Sequence, residues 1–132
     1  MKIFFSILLL SISLISFSQQ REFEMKEGDT TYIMKQYFLC IYLRGEKTDQ
    51  DSIKLQELQK GHLENITAMD KAGVICMAGP FGDNTEKRGI LMFDVATKEE
   101  AEVWLKKDPM VIEGRLTYEI HPWWGAKGSK LK

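Results

Sequence analysis

Three short runs, Tyr37–Leu43 (YFLCIYL), Val74–Ala78 (VICMA) and Ile90–Val95 (ILMFDV), constrain the fold more than any other feature. Their length and their aromatic and β-branched content mark them as strands. Residues of both parities are apolar in Tyr37–Leu43, Val74–Ala78 and Ile90–Phe93. Alternate side chains of a strand point to opposite faces, so both faces of this sheet must be shielded from water.

The segments between the runs say what shields one face. Asp51 or Ser52 can cap a helix running to about Ala72, with Leu55, Leu58, Ile66 and Met69 as its apolar stripe and Gly73 as its stop. Gly82-Asp83-Asn84, within Phe81–Gly89, joins the second and third runs as a hairpin. Thr97-Lys98-Glu99-Glu100 is a capping box opening a second helix through Lys107, which Asp108-Pro109 breaks. Arg115–His121 alternates as a final strand, followed by Pro122-Trp123-Trp124-Gly125. The order strand, helix, strand, strand, helix, strand predicts a ferredoxin-like α+β fold: an antiparallel sheet with two helices on one face. The second face then needs other cover. The simplest is a second copy of the sheet, so a homodimer packed face to face is expected. The polar lead-in and tail are poor substitutes.

Met1–Ser18 (MKIFFSILLLSISLISFS) joins one lysine, a serine-broken apolar run and small Ser16 and Ser18. This reads as a secretory signal peptide cut after Ser18, and it is short of the roughly 20 apolar residues of a membrane span. The expected location is secreted or periplasmic, with no membrane attachment after cleavage. The chain then divides into the signal (1–18), a polar lead-in that is mobile or an extra edge (19–34), one domain (35–125) and a basic tail (126–132). The net charge is −1 and acidic and basic residues interleave, so nucleic acid is not an expected partner. Cys40 and Cys76 sit inside apolar runs and read as buried thiols. Metal-ligand spacing, a glycine-rich phosphate loop and a nucleophile elbow are all absent from the sequence, so no metal or cofactor is expected.

Few residues are left to carry chemistry. His62 follows Leu55 and Leu58 by seven and four residues and shares their stripe. Gly61 beside it costs up to about 1 kcal/mol in a helix interior, which points to a close approach there. An imidazole is a natural proton carrier, yet a core histidine with one satisfied hydrogen bond accounts for the same pattern. Asp108 likewise has two readings. It can cap a short turn with Pro109 at the first position, or it can lie beside His62 and fix its tautomer. His121 can line a pocket or end a strand. Trp123 and Trp124 can pack a dimer or wall a pocket.

Gly61-His62-Leu63, Ala78-Gly79-Pro80-Phe81, Glu100-Ala101-Glu102-Val103-Trp104, Asp108-Pro109 with Gly114, and Pro122 together resemble the YciI-like (YCII-related) family over roughly Lys35–Gly125. The resemblance implies a dimeric α–β barrel and a catalytic pair falling on His62 and Asp108. It implies proton transfer on a small, cyclic or aromatic compound. One branch of the family removes chloride from a chlorinated hydroxyhydroquinone, and the wider superfamily includes muconolactone isomerase. Many relatives read Arg-Pro-x-His where this chain reads Gln59-Lys60-Gly61-His62, leaving Lys60 as a loose substitute for the arginine. Typical members also lack an export signal. The expected protein is a lyase or isomerase with His62 as base, Asp108 orienting it, and Phe81, Trp123, Trp124, His121 and Lys60 around the substrate. The alternative is a dimeric module that binds a small ligand without catalysis, or that is purely structural.

Overall fold

The computed structural model describes residues 20–132; the expected signal peptide lies outside the described residues. Eight elements follow in order: β1 (Glu22–Glu27), β2 (Thr30–Arg44), α1 (Ser52–Lys71), β3 (Ile75–Pro80), β4 (Lys87–Phe93), α2 (Lys98–Leu105), α3 (Pro109–Ile112) and β5 (Leu116–Ala126). From β2 onward, and setting the single-turn α3 aside, this is the βαββαβ order of a ferredoxin-like α+β fold.

The long strand β2 is the spine of the sheet. β5 pairs along one edge from Met34 to Arg44, while β4 pairs Phe38–Leu43 and β1 pairs Thr30–Lys35 on the other. β3 closes the sheet beside β4, and every neighbour is antiparallel. The split is the expected one: α1 crosses from β2 to β3 over an inserted β4.

Helix ends follow local chemistry. The Asp51 carboxylate accepts the Lys54 amide at 2.8 Å to open α1. At α2 the Thr97 hydroxyl accepts the Glu100 amide at 3.2 Å. The Glu100 carboxylate reaches back to the amide of Ala96 rather than that of Thr97, again at 3.2 Å. The reciprocal cap is therefore shifted by one residue.

Four boundaries differ from expectation. The lead-in takes the second of its two readings, an extra edge: β1 and the start of β2 make a two-stranded ribbon, so a border between residues 34 and 35 falls within a strand. β5 continues through Pro122-Trp123-Trp124-Gly125, which an edge strand allows because a proline can turn its donorless nitrogen outward. β3 extends over Gly79-Pro80, and β4 begins at Lys87, earlier than Ile90. The exposed ends of these strands lack the apolar run that marks their middles.

The core lies between the sheet and the helices. Phe38, Cys40 and Tyr42 of β2, Leu91 and Phe93 of β4 and Ile120 of β5 pack with Met69 of α1 and Ala101 and Leu105 of α2. Both long helices therefore cover the same face. Tyr37, Leu39 and Ile41, paired with Trp123, Met92 and Ile90, have the opposite parity and point away from the helices.

Cys40 is fully buried, and burial pushes its thiol up to about 12. Cys76 corrects the expectation of two buried thiols. It is the unpaired extra residue between Ile75 and Met77 where β3 bulges against β4, and it is exposed. At the junction of β1 with the main sheet, Arg21 and Lys35 each hold the Asp94 carboxylate at 2.7 Å. Burial alone would raise Asp94, but these two cationic hydrogen bonds hold it below the usual carboxylate value.

Candidate active site

The site forms where α1 crosses the turn between α2 and α3. Gly61 makes that crossing close: a Cβ added there would lie 2.6 Å from Cγ of Pro109. The neighbour of Gly61 on α1 is His62, and the neighbour of Pro109 is Asp108. Close backbone approach at one pair brings the adjacent pair into bonding distance.

His62 Nδ1 lies 2.6 Å from Oδ2 of Asp108. The Tyr42 hydroxyl, from the core-facing side of β2, donates to the same oxygen at 2.8 Å. The other oxygen, Oδ1, accepts the Met110 amide at 2.9 Å and so caps α3. The two readings of Asp108 are both realised, one on each oxygen. Asp108 is wholly buried and the His62 side chain is 13% exposed. A buried carboxylate needs donors on its lone pairs, and this one has three.

This arrangement fixes the histidine. A carboxylate carries no proton to offer, so Nδ1–H is the donor and the neutral ring holds its lone pair on Nε2. Nε2 has no protein partner among the described residues. The ring edge also meets Tyr42, with centroids 5.3 Å apart and planes at 68°. Burial first, and the Asp108 charge second, drive the Tyr42 hydroxyl well above its usual range, so it stays a proton donor.

Two cavities meet at His62. The larger, about 580 Å³, opens between the start of α1 and the ends of β2, β4 and β5. The smaller, about 290 Å³, runs along Tyr42, Ile66, Ala78 and Leu91 and is mostly apolar. Gln59, His62, Pro80, Arg88 and Leu116 line both, so they are two lobes of one cleft. Together they suit a small organic molecule.

Three arginines line the larger lobe: Arg44, Arg88 and Arg115. Each is placed by the sheet. Arg44 ends β2 on the same parity as Tyr42. Arg88 is skipped in the register that pairs Tyr42 with Gly89 and Leu43 with Lys87, so it is a bulge residue. A bulge re-aims a side chain, and here it turns Arg88 to the cleft. Arg115 precedes β5, where the Gly45 amide bonds its carbonyl at 2.8 Å. The sequence alone shows these arginines only as a strand end, part of a charged loop and a strand start.

The other residues expected around the substrate do not line either lobe of the cleft. Lys60 is two residues from His62, about 200° around a helix, and its largely exposed ammonium faces Glu64 at 3.8 Å. Phe81 is exposed beyond the end of β3. His121 is exposed and lies 3.5 Å from Glu119. Trp123 and Trp124 sit at the far end of β5, over 20 Å along a strand from Leu116 by the usual rise of about 3.3 Å per residue. There they pack on Tyr37 and Phe23, with centroids 6.1 and 5.0 Å apart. Among the described residues no group of three or more His, Cys, Asp or Glu side chains is arranged to hold a metal ion.

The model of the YCII-related domain matches residues 37–124. The chain belongs to the YCII-related family. The shared domain contains Tyr42, Arg44, His62, Arg88, Asp108 and Arg115, and leaves β1 outside. A solved structure of 5-chloro-2-hydroxyhydroquinone dehydrochlorinase (TftG) from Burkholderia phenoliruptrix AC1100, in complex with 2,5-dihydroxybenzoquinone, is similar at 17% identity with a TM-score of 0.49. That match covers 65% of this chain and 92% of the other. No curated protein matches this chain.

Proposed function

We propose that this YCII-related protein is an exported, homodimeric lyase or isomerase in which His62 moves a proton on a small cyclic or aromatic compound. The observation that carries the reading is the 2.6 Å contact of His62 with Asp108 at the meeting point of the two cleft lobes. Nε2 takes the proton of an acidic C–H or O–H bond. The electron pair of that bond passes into the substrate's conjugated system. The ring becomes an imidazolium whose Nδ1–H still bonds Asp108, and the carboxylate stabilises that charge without taking the proton. The proton then returns to another atom in an isomerase, or leaves with a departing group in a lyase.

Export rests on the composition of Met1–Ser18. The dimer rests on the sheet face carrying Tyr37, Leu39, Ile41 and Met92, which no helix among the described residues covers.

The test is a panel of cyclic enols, lactones and halogenated hydroxyquinones, followed by absorbance and NMR. The protein is expected to turn over at least one of them. His62→Gln is expected to lose about 10²- to 10⁴-fold in kcat with its melting temperature retained. Equal turnover by the variant contradicts the proposal. Binding without product from any member of the panel would assign the cleft to ligand carriage instead.

A further inference from the structure

The larger lobe has a charge imbalance that proton transfer by His62 does not use. It is lined by Arg44, Arg88 and Arg115, and no Asp or Glu is among its lining residues. The guanidiniums are held by neutral acceptors. Arg88 Nη1 donates to Asn84 Oδ1 at 3.3 Å and to the Thr85 carbonyl at 3.2 Å. Arg115 Nη1 donates to the Thr48 carbonyl at 3.0 Å and to Gln50 Oε1 at 3.2 Å. Arg44 shares Asn84 through Nη2 at 2.9 Å. Its one anionic neighbour is Glu86 at 3.5 Å, whose side chain is 79% exposed and screens it weakly. Each of Arg88 and Arg115 is thus anchored through one terminal nitrogen, while a guanidinium carries five N–H donors in a planar fork. Three like charges converging in a recess raise each other's energy unless an anion joins them, and low-dielectric walls focus the field they make.

We propose that the substrate carries an acidic oxyanion group, a carboxylate or a phosphate, which docks on Arg88 and Arg115 with Arg44 beside them. The fork geometry of two guanidiniums matches the paired oxygens of either group. The acid anchors one end of the molecule in the larger lobe. Its ring then enters the apolar lobe along Ile66, Ala78 and Leu91, and the acidic bond lies between them, at His62. This placement of the reacting bond rests on the reading of His62 as the base. The acid anchor rests on the arginines alone.

Calorimetric titration of the purified chain tests the anchor with three probes: phthalate, phenyl phosphate and neutral benzamide. At least one anion is expected to bind tenfold or more tightly than benzamide, with an affinity that falls as salt rises. Which anion is preferred assigns the acid as carboxylate or phosphate. Arg88→Gln and Arg115→Gln are each expected to weaken the preferred anion about tenfold or more and to leave benzamide unchanged. Should Arg115→Gln fail to fold, Arg88→Gln decides the question, because its partners belong to the exposed 81–86 loop. His62→Gln is expected to keep the anion affinity, so a failed anchor and a failed base give different results. Benzamide binding as tightly as both anions, or an anion affinity untouched by Arg88→Gln, overturns the proposal.

Discussion

Asp108→Ala is expected to cost about 3 kcal/mol or more of folding stability, at about 1–3 kcal/mol for each buried donor left without an acceptor. The reason is the number of groups left stranded. The Tyr42 hydroxyl, His62 Nδ1 and the Met110 amide all lose their acceptor, which is itself wholly buried. The cap of α3 goes with them. Chemical denaturation should record the loss, and the melting temperature should fall by at least about 10 °C. Asp108→Asn separates structure from chemistry. It keeps the shape and one acceptor, but its amide donors must face groups that also donate. The easiest adjustment is for the amide to donate to His62 Nδ1, which moves the ring proton to Nε2 and removes the lone pair from the cleft. A fall in kcat of about 10²- to 10⁴-fold with a smaller stability loss is expected. A fully active Asp108→Asn protein would assign Asp108 to capping alone.

Gly61→Ala is the second large effect, and its sign runs against helix propensity. On an open helix the change would stabilise by up to about 1 kcal/mol. Here the new methyl group would sit 2.6 Å from the Pro109 ring, which is too rigid to swing aside. Overpacking of this kind costs about 1–3 kcal/mol, so net destabilisation is expected. The more telling loss is in rate. Pushing α1 away from α3 lengthens the His62–Asp108 bond, and kcat should fall more than stability does. Denaturation curves and turnover measured on the same preparation check both. A stabilised and fully active Gly61→Ala protein would show that the crossing is looser than the structure has it.

Much of this fold and site is legible in the sequence. Two-sided apolar runs, a capped helix and a capping box gave the element order, and that order limits the sheet to few arrangements. Gly61 announced a close approach, and His62 with Asp108 stood out as the two groups able to use it. The rest depended on pairing across long stretches of chain. Tyr42 sits in a run that is apolar on both parities, so nothing local says that its hydroxyl faces the helices. A core-facing tyrosine does need a partner for its hydroxyl, and that was the signal available. Arg44, Arg88 and Arg115 are far apart in sequence, and only the β2 pairings and a bulge in β4 bring them together. Lys60 is near His62 in sequence, but a spacing of two residues on a helix places it on the opposite side. β5 runs on past Pro122 and carries the tryptophans to the far end of the sheet, away from the cleft.

Asp108 leaves His62 with a free lone pair on Nε2, and the proton positions on the ring test this without a known substrate. The chain has two histidines, so nitrogen-15 spectra of the histidine-labelled protein are resolved by removing His121. At a pH where His62 is neutral, a proton on Nδ1 and a bare Nε2 are expected, with that order reversed in Asp108→Asn. A neutral wild-type ring carrying its proton on Nε2 would contradict it.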